Sequence, residues 1–513
     1  MSSPSGFPSS LLSKLRPQVF WPPFVLLLAA LIYSIVDSSQ FLATTVRIND
    51  FILDNFGWLF SAGTTMMLLT CLLISFHPIG KIRIGGAEAK PFLTRWRWFS
   101  IVLCTTIATG IIFWGTAEPL FHLSAPPSFG GAEAGSQEAA NNAMGYMFLH
   151  WTLTPYAIYS VPGLMFALAF YNRKRSFSIH STLFPIIRNP NQPRLASFID
   201  GISLYALVAG MAASLGGGIL TISGGLKNLT GYESGWLQLI ITLLIVGTFI
   251  ISAISGLMKG IRILSDINAR IFIVLALFML VFGPTLAILK YTLAGLASYI
   301  TSLPEMSLVS ILHPDDPWPK SWTSFNWANW LAWAPISALF LGRLAFGYTI
   351  RQFLLFNWVL PSIFGMIWMG IFSGMTLDFE ISKNIGLLAL LESQGPESVI
   401  YRMLESVPLR YVIAPLFLIT AFLSYVTAAD SNTEAMGGIS STGISPEAPS
   451  PPTIIKVIWG VTIGAVAFIM IHMAGIDGIK MLSNLGGLPS LFLIITVNIG
   501  LLYLIFSKKY KSL

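Results

Sequence analysis

About twelve continuous apolar runs, each near the length of a bilayer span, decide what this chain can fold into. They lie near 20–36, 57–76, 98–122, 143–171, 199–225, 236–257, 266–292, 324–345, 353–376, 409–437, 453–475 and 487–507. A spanning helix needs about 20 apolar residues. Barrel strands would be short and alternating, whereas these runs are long and unbroken, so helices are expected. Charged residues make up 10% of the 513 positions, against about 25% in soluble domains. No soluble core hides that much apolar surface, and the fold class is an all-α polytopic membrane protein. Cys71 and Cys104 both sit inside apolar runs and suggest neither a disulfide framework nor a metal site. The opening MSSPSGFPSS is small and polar, with no cleavable signal peptide evident.

The basic residues orient the runs. With residues 1–19 as a cytoplasmic tail, most of the 29 Lys and Arg fall on the inner side. The clusters are Lys81, Arg83, Lys90, Arg95 and Arg97, then Arg173, Lys174 and Arg175, then Lys508, Lys509 and Lys511. The acids Glu133, Glu138, Asp315, Asp316, Glu392 and Glu397 fall outside. An even count of spans puts both termini in the cytoplasm, with 508–513 as the second tail. Residues 20–97 hold two spans and a basic inner loop. Residues 293–323 form an outer loop in which YITSLPEMSLVSILHP is expected to lie along the membrane as an amphipathic helix.

Four tryptophans crowd into WTSFNWANWLAWAP: Trp322, Trp327, Trp330 and Trp333. Trp330 and Trp333 are three apart and share a helix face. Indole faces attract a quaternary cation, yet tryptophan is also an interfacial anchor. The stretch His150-WTLTPYAIY-Tyr159 offers Trp151, Tyr156 and Tyr159 on neighbouring faces of another span, and its Pro155 loosens the helix there. The alternative for each ring is a core or lipid-facing aromatic. Trp322 and Trp327 are expected nearer the outer interface, as anchors. In the third span Gly110, Gly115 and Pro119 interrupt the helix, as in substrate and ion sites of secondary transporters. Glu118 there reads first as a helix-to-helix hydrogen-bonding group. In the tenth span Ser424, Thr427, Asp430 and Ser431 form a polar patch of hard oxygen donors suited to Na⁺, or simply hydroxyls bonding back to the preceding turn.

Taken together, FWGTAEP (113–119), HW…Y (150–159), ASLG (213–216), SGLMKGIRILSDIN (255–268), WTSFNWANWLAWAP (322–335), the R…TIRQF stretch (343–353) and TAADS (427–431) resemble the betaine/carnitine/choline transporter family. The resemblance covers roughly residues 20–505. It implies twelve transmembrane helices and an inverted five-helix repeat core of the amino-acid/sodium symporter kind, with repeats at 98–292 and 324–507. It also implies a homotrimer and an aromatic box around a trimethylammonium group. By position the box is Trp151, Tyr156, Tyr159, Trp330 and Trp333. Phe121 stands where the carnitine branch has a Tyr.

The chain departs from the family pattern at Asn326 and Asn329, which replace two aromatics. Asn329 adjoins Trp330, and an amide there points to a larger or differently substituted onium, or to a sulfonium such as dimethylsulfoniopropionate. Gly210-Met211 stands where sodium-coupled members have G-T, and Thr427-AAD-Ser431 where they have T-S-A-D-S. Sodium-independent exchangers place Arg at the Asn268 position and Met at the Ser337 position. One Na⁺ site built from the carbonyls near Ala108 with Thr427 and Ser431, and with Asp430 as a further coupling residue, therefore remains open.

The expected function is secondary active transport of a small onium compound across the plasma membrane, with Na⁺ symport ahead of substrate:product antiport. A channel or a membrane sensor is the rival from another class. No cofactor beyond possible Na⁺, no enzymatic activity and no nucleic-acid partner is expected.

Overall fold

A computed structural model describes residues 14–512, except 107, 188, 190, 191, 233, 235, 256 and 445–450. The described residues are helical, with only two isolated bridges and no strand. The principal helices are α1 (Pro17–Val36), α2 (Ser38–Phe76), α3 (Arg95–Thr106), α4 (Ala108–Ser124), α5 (Gln137–Trp151), α6 (Leu153–Ala167), α7 (Pro193–Thr230) and α8 (Leu237–Ser255). They continue with α9 (Leu257–Phe282), α10 (Thr285–Thr301), α11 (Phe325–Leu344), α12 (Leu360–Ile381), α13 (Leu387–Gln394), α14 (Glu397–Glu405), α15 (Arg410–Ile439) and α16 (Thr453–Phe506). Eight described helices are long and apolar enough to cross a membrane, or nine if the bent pair α3 and α4 is one span. Their outer faces carry exposed apolar residues, such as Val274, Leu277 and Val281, which only lipid can solvate without cost.

Local chemistry accounts for the breaks. α16 has 54 residues, about 81 Å at 1.5 Å per residue, against a hydrocarbon thickness of about 30 Å. It kinks at Gly475, whose φ of 52° suits glycine, and so holds both expected C-terminal runs. The run expected over 266–292 stops instead at Phe282, because Pro284 follows Gly283 and cannot continue a helix. α10 then packs on α5 and α12, turning Ile288, Tyr291, Gly295 and Tyr299 inward. The stretch 299–314, expected as one amphipathic helix, is split between the end of α10 and two short turns, Leu303–Ser307 and Val309–Leu312.

α3 and α4 bend by 53°. Pro119 lacks the N–H that would reach the Gly115 carbonyl. Ser373 Oγ of α12 donates to that carbonyl at 2.7 Å instead, keeping the interrupted helix satisfied inside the protein.

One strap closes the end opposite the tryptophan-rich stretch. Arg16 meets the buried Asp200 at 2.8 Å and donates from Nη1 to the Ile439 carbonyl at 2.8 Å. Its backbone N–H reaches Ser440 O at 2.8 Å. The segment before α1 thus joins the start of α7 to the end of α15. Among the described residues, Arg16→Ala leaves Asp200 with only Ser178 and the Ile179 N–H. The expected cost is about 1–3 kcal/mol, seen as a lower thermal midpoint in detergent. An unchanged midpoint rules out the strap as a stabilising contact.

Candidate functional site

The site grows from a helix break. Pro155 has no N–H for the Trp151 carbonyl four residues earlier, and the chain breaks at Thr152 (φ −128°, ψ −114°), between α5 and α6. Trp151 therefore ends one helix while Tyr156 and Tyr159 ride on the next. All three converge on Trp330 of α11, with ring centroids at 5.8, 5.5 and 5.1 Å and tilted or edge-on planes. All four rings are buried. Gly110 of α4 backs Trp151 so closely that a Cβ would stand 2.4 Å from its ring.

A buried polar network holds Trp151 from behind. Its Nε1 donates to Glu118 Oε2 at 2.7 Å. Glu118 Oε1 lies 2.7 Å from His150 Nδ1, 3.2 Å from His122 Nε2 and 3.5 Å from the donating Asn326 Nδ2. His150 Nε2, on the far side of the ring, lies 3.1 Å from the Thr323 hydroxyl. The donor atoms of Glu118, His122 and His150 lie within 4.8 Å of one another, a spacing a metal could use. Their mutual hydrogen bonds account for the same spacing, because both nitrogens of His150 are engaged.

Other expected site residues are placed elsewhere. Trp333 turns toward α7, where a Cβ on Gly210 would come within 2.9 Å of its ring. It lines a small cavity of about 20 Å³ with Met211, Phe249, Tyr425 and Ala428. That volume suits a single water. Asn329 is half-buried and accepts from Ser483 Oγ of α16 at 3.1 Å, so its amide is engaged away from the rings around Trp330. Phe121 belongs to a separate cluster with Trp322, at 5.2 Å. Trp322 and Trp327, expected as interfacial anchors, are instead core residues. Trp327 is 0% exposed and edge-on to His150, and Trp322 packs on His122 at 4.7 Å.

The ion-coupling candidates fall into four groups along α15. Thr105 of α3 donates to Ser431, which donates to Thr427 O at 2.8 Å. Thr427 bonds back to the Leu423 carbonyl. Ala108 opens α4 beyond the break, and its side chain lies outside the described residues. Asn268 of α9 donates to Ser424 at 2.9 Å, and Ser337 of α11 to Asn432 at 2.8 Å. Asp430 accepts from Ser252 of α8 at 2.5 Å, while its Oδ1 is buried without a partner among the described residues. The first group adjoins the α3/α4 break through Thr105, and Asn268 also reaches Cys104 Sγ near the end of α3 at 3.8 Å.

Glu118, read from the sequence as a helix-to-helix hydrogen-bonding group, is the hub of the network, and its spacing of four from His122 was a further signal. Two features lay beyond the sequence reading. Thr105 reaches across to α15. Lys480, on α16 just past the kink, sets its ammonium 3.9 Å from the Trp322 ring centroid, with no sequence signal pointing to it.

Membrane helices, one of them broken beside buried hydroxyls, are arranged round buried aromatic rings, an arrangement that suits a membrane transporter. A family model described as the betaine/carnitine/choline family transporter matches residues 18–509. A glycine betaine transporter of Bacillus subtilis is 32% identical over 96% of this chain and 95% of its own. An ectoine/hydroxyectoine transporter of Virgibacillus pantothenticus is 29% identical over 92% and 93%. An osmo-dependent choline transporter of Acinetobacter baylyi is 31% identical over 92% and 69%. The chain belongs to the betaine/carnitine/choline transporter family and is a multi-pass membrane transporter, not an enzyme.

Proposed function

We propose that this protein is a secondary active transporter of a small quaternary-ammonium or sulfonium compound, driven by Na⁺ symport through alternating access. The observation that carries the reading is the convergence of Trp151, Tyr156 and Tyr159 on Trp330. Each aromatic face contributes about 0.5–2 kcal/mol to a cation, more when dry, and few other ligands would benefit from four buried rings. The names of the relatives, covering glycine betaine, choline and ectoine, support a compact substrate with a positive centre. Trp333, Phe121 and Asn329 enter as groups on the route or in the surrounding shell.

The Thr105–Ser431–Thr427 chain beside the α3/α4 break supplies hydroxyl oxygens and helix-end carbonyls, the ligands Na⁺ takes. Asn268 is an uncharged amide engaged with Ser424, so no fixed cation stands in for the ion there. That favours symport over exchange. The protein sits in the cell membrane with both termini cytoplasmic, an orientation that the basic loops support. A homotrimer accords with the family.

Uptake of labelled betaine, choline, carnitine and dimethylsulfoniopropionate into proteoliposomes tests the reading. Replacing external Na⁺ with K⁺ is expected to remove at least nine-tenths of the uptake. Ser431→Ala should raise the Na⁺ concentration for half-maximal uptake about tenfold. Uptake that is indifferent to Na⁺ but stimulated by internal substrate would establish exchange instead, and no uptake of any of the four would end the onium assignment.

A further inference from the structure

Lys480 stands where an onium ion would be expected to pause. Its Nζ lies 3.9 Å from the Trp322 centroid, 5.5 Å from Phe325 and 6.0 Å from Phe121. Among the described residues it makes no ion pair within 4.0 Å. The charged and titratable groups around it are Asp477 on its own helix and Glu118 and His122 on α4. Glu118 is already surrounded by two imidazoles, an indole and an amide, so it is not free to pair with Lys480. A half-buried ammonium held on ring faces without a carboxylate retains much of its capacity to attract an anion.

Its position places it between solvent and the rings around Trp330. Lys480 lies between the two apolar runs of α16, at the end of the molecule that carries the Lys320–Asp54 pair and the Trp322 turn. Phe121, Lys480 and Asn329 are half-buried, whereas Trp330, five residues past Phe325, is only 3% exposed.

We propose that Lys480 is a charge selector at the outer mouth, admitting zwitterionic onium carboxylates in preference to onium cations. An arriving onium head competes with the Lys480 ammonium for the faces of Trp322, Phe121 and Phe325. The displaced ammonium then pairs with the carboxylate of a betaine, whereas a simple cation such as choline meets only repulsion.

The inference rests on the onium-transport reading, and one experiment separates the two. Labelled glycine betaine uptake, with choline as competitor, is measured in proteoliposomes of the wild type, Lys480→Met and Lys480→Arg. The wild type is expected to require at least tenfold more choline for half-inhibition than its betaine KM. Lys480→Met should raise the betaine KM about tenfold and make choline a better competitor, while Lys480→Arg keeps the wild-type ratio. Lys480→Gln serves if the Met variant does not fold. Should the wild type take up betaine and the neutral variants keep its ratio, the selector is overturned and the transport reading stands. Should the wild type take up choline, carnitine or dimethylsulfoniopropionate but not betaine, the selector alone is overturned; should it take up none of the four, both fall.

Discussion

Trp330→Leu abolishes onium uptake, lowering it at least 100-fold, while the protein still reaches the membrane and elutes as the wild type does. Trp330 alone touches all three other rings, so its loss removes one cation-binding face and unsettles the rest. Two or three lost faces at about 0.5–2 kcal/mol each amount to that factor, since 1.4 kcal/mol is tenfold. The cavity left by indole also costs roughly 2–3 kcal/mol of stability. Trp330→Phe distinguishes the two effects, because it keeps much of the packing and a weaker face, and it should retain about a tenth of the activity. Wild-type uptake by the Leu variant would remove the rings around Trp330 from the substrate path.

Glu118→Leu has its largest effect on folding. The carboxylate is the shared acceptor for Trp151, His150, His122 and Asn326, all of them buried. A buried donor left without an acceptor costs about 1–3 kcal/mol, so three strong contacts together cost several. The expected result is a thermal midpoint lower by roughly 5 °C or more, or no recoverable protein. Glu118→Gln retains one acceptor oxygen but points an NH₂ at other donors, and should fall in between. If the Leu variant melts with the wild type, the network is not what fixes Trp151.

The sequence carried the helices well, because lipid permits little else for long apolar runs. It also carried the break whose cause is one proline, Pro155 beside Thr152, whereas α4 runs on through Pro119. Side-chain direction was harder. Trp330 and Trp333 share a face by spacing, yet a step of three residues turns about 60° and rises about 4.5 Å. That is enough to send one indole toward Tyr159 and the other toward Gly210. Asn329 lies 100° round from Trp330 and meets α16. The turn before α11, Lys320–Ser324, is a π-helix, so α-helical spacing misplaces Trp322 relative to Trp330. Arg16 and Lys480 depend on contacts far away in the chain, which no local pattern encodes.

Trp151, Tyr156 and Tyr159 each touch Trp330, at centroid separations of 5.1–5.8 Å. A methylated ammonium held between two faces needs each centroid about 4.5–6 Å from its charge, so facing rings must stand about 9–12 Å apart. In this conformation the aromatics serve as each other's ligand. Substrate affinity then measures a difference, the attraction of the cation less the work of parting the rings. Weak apparent binding is therefore compatible with strong cation–π contacts, and a substitution that props the rings open should tighten binding while slowing release.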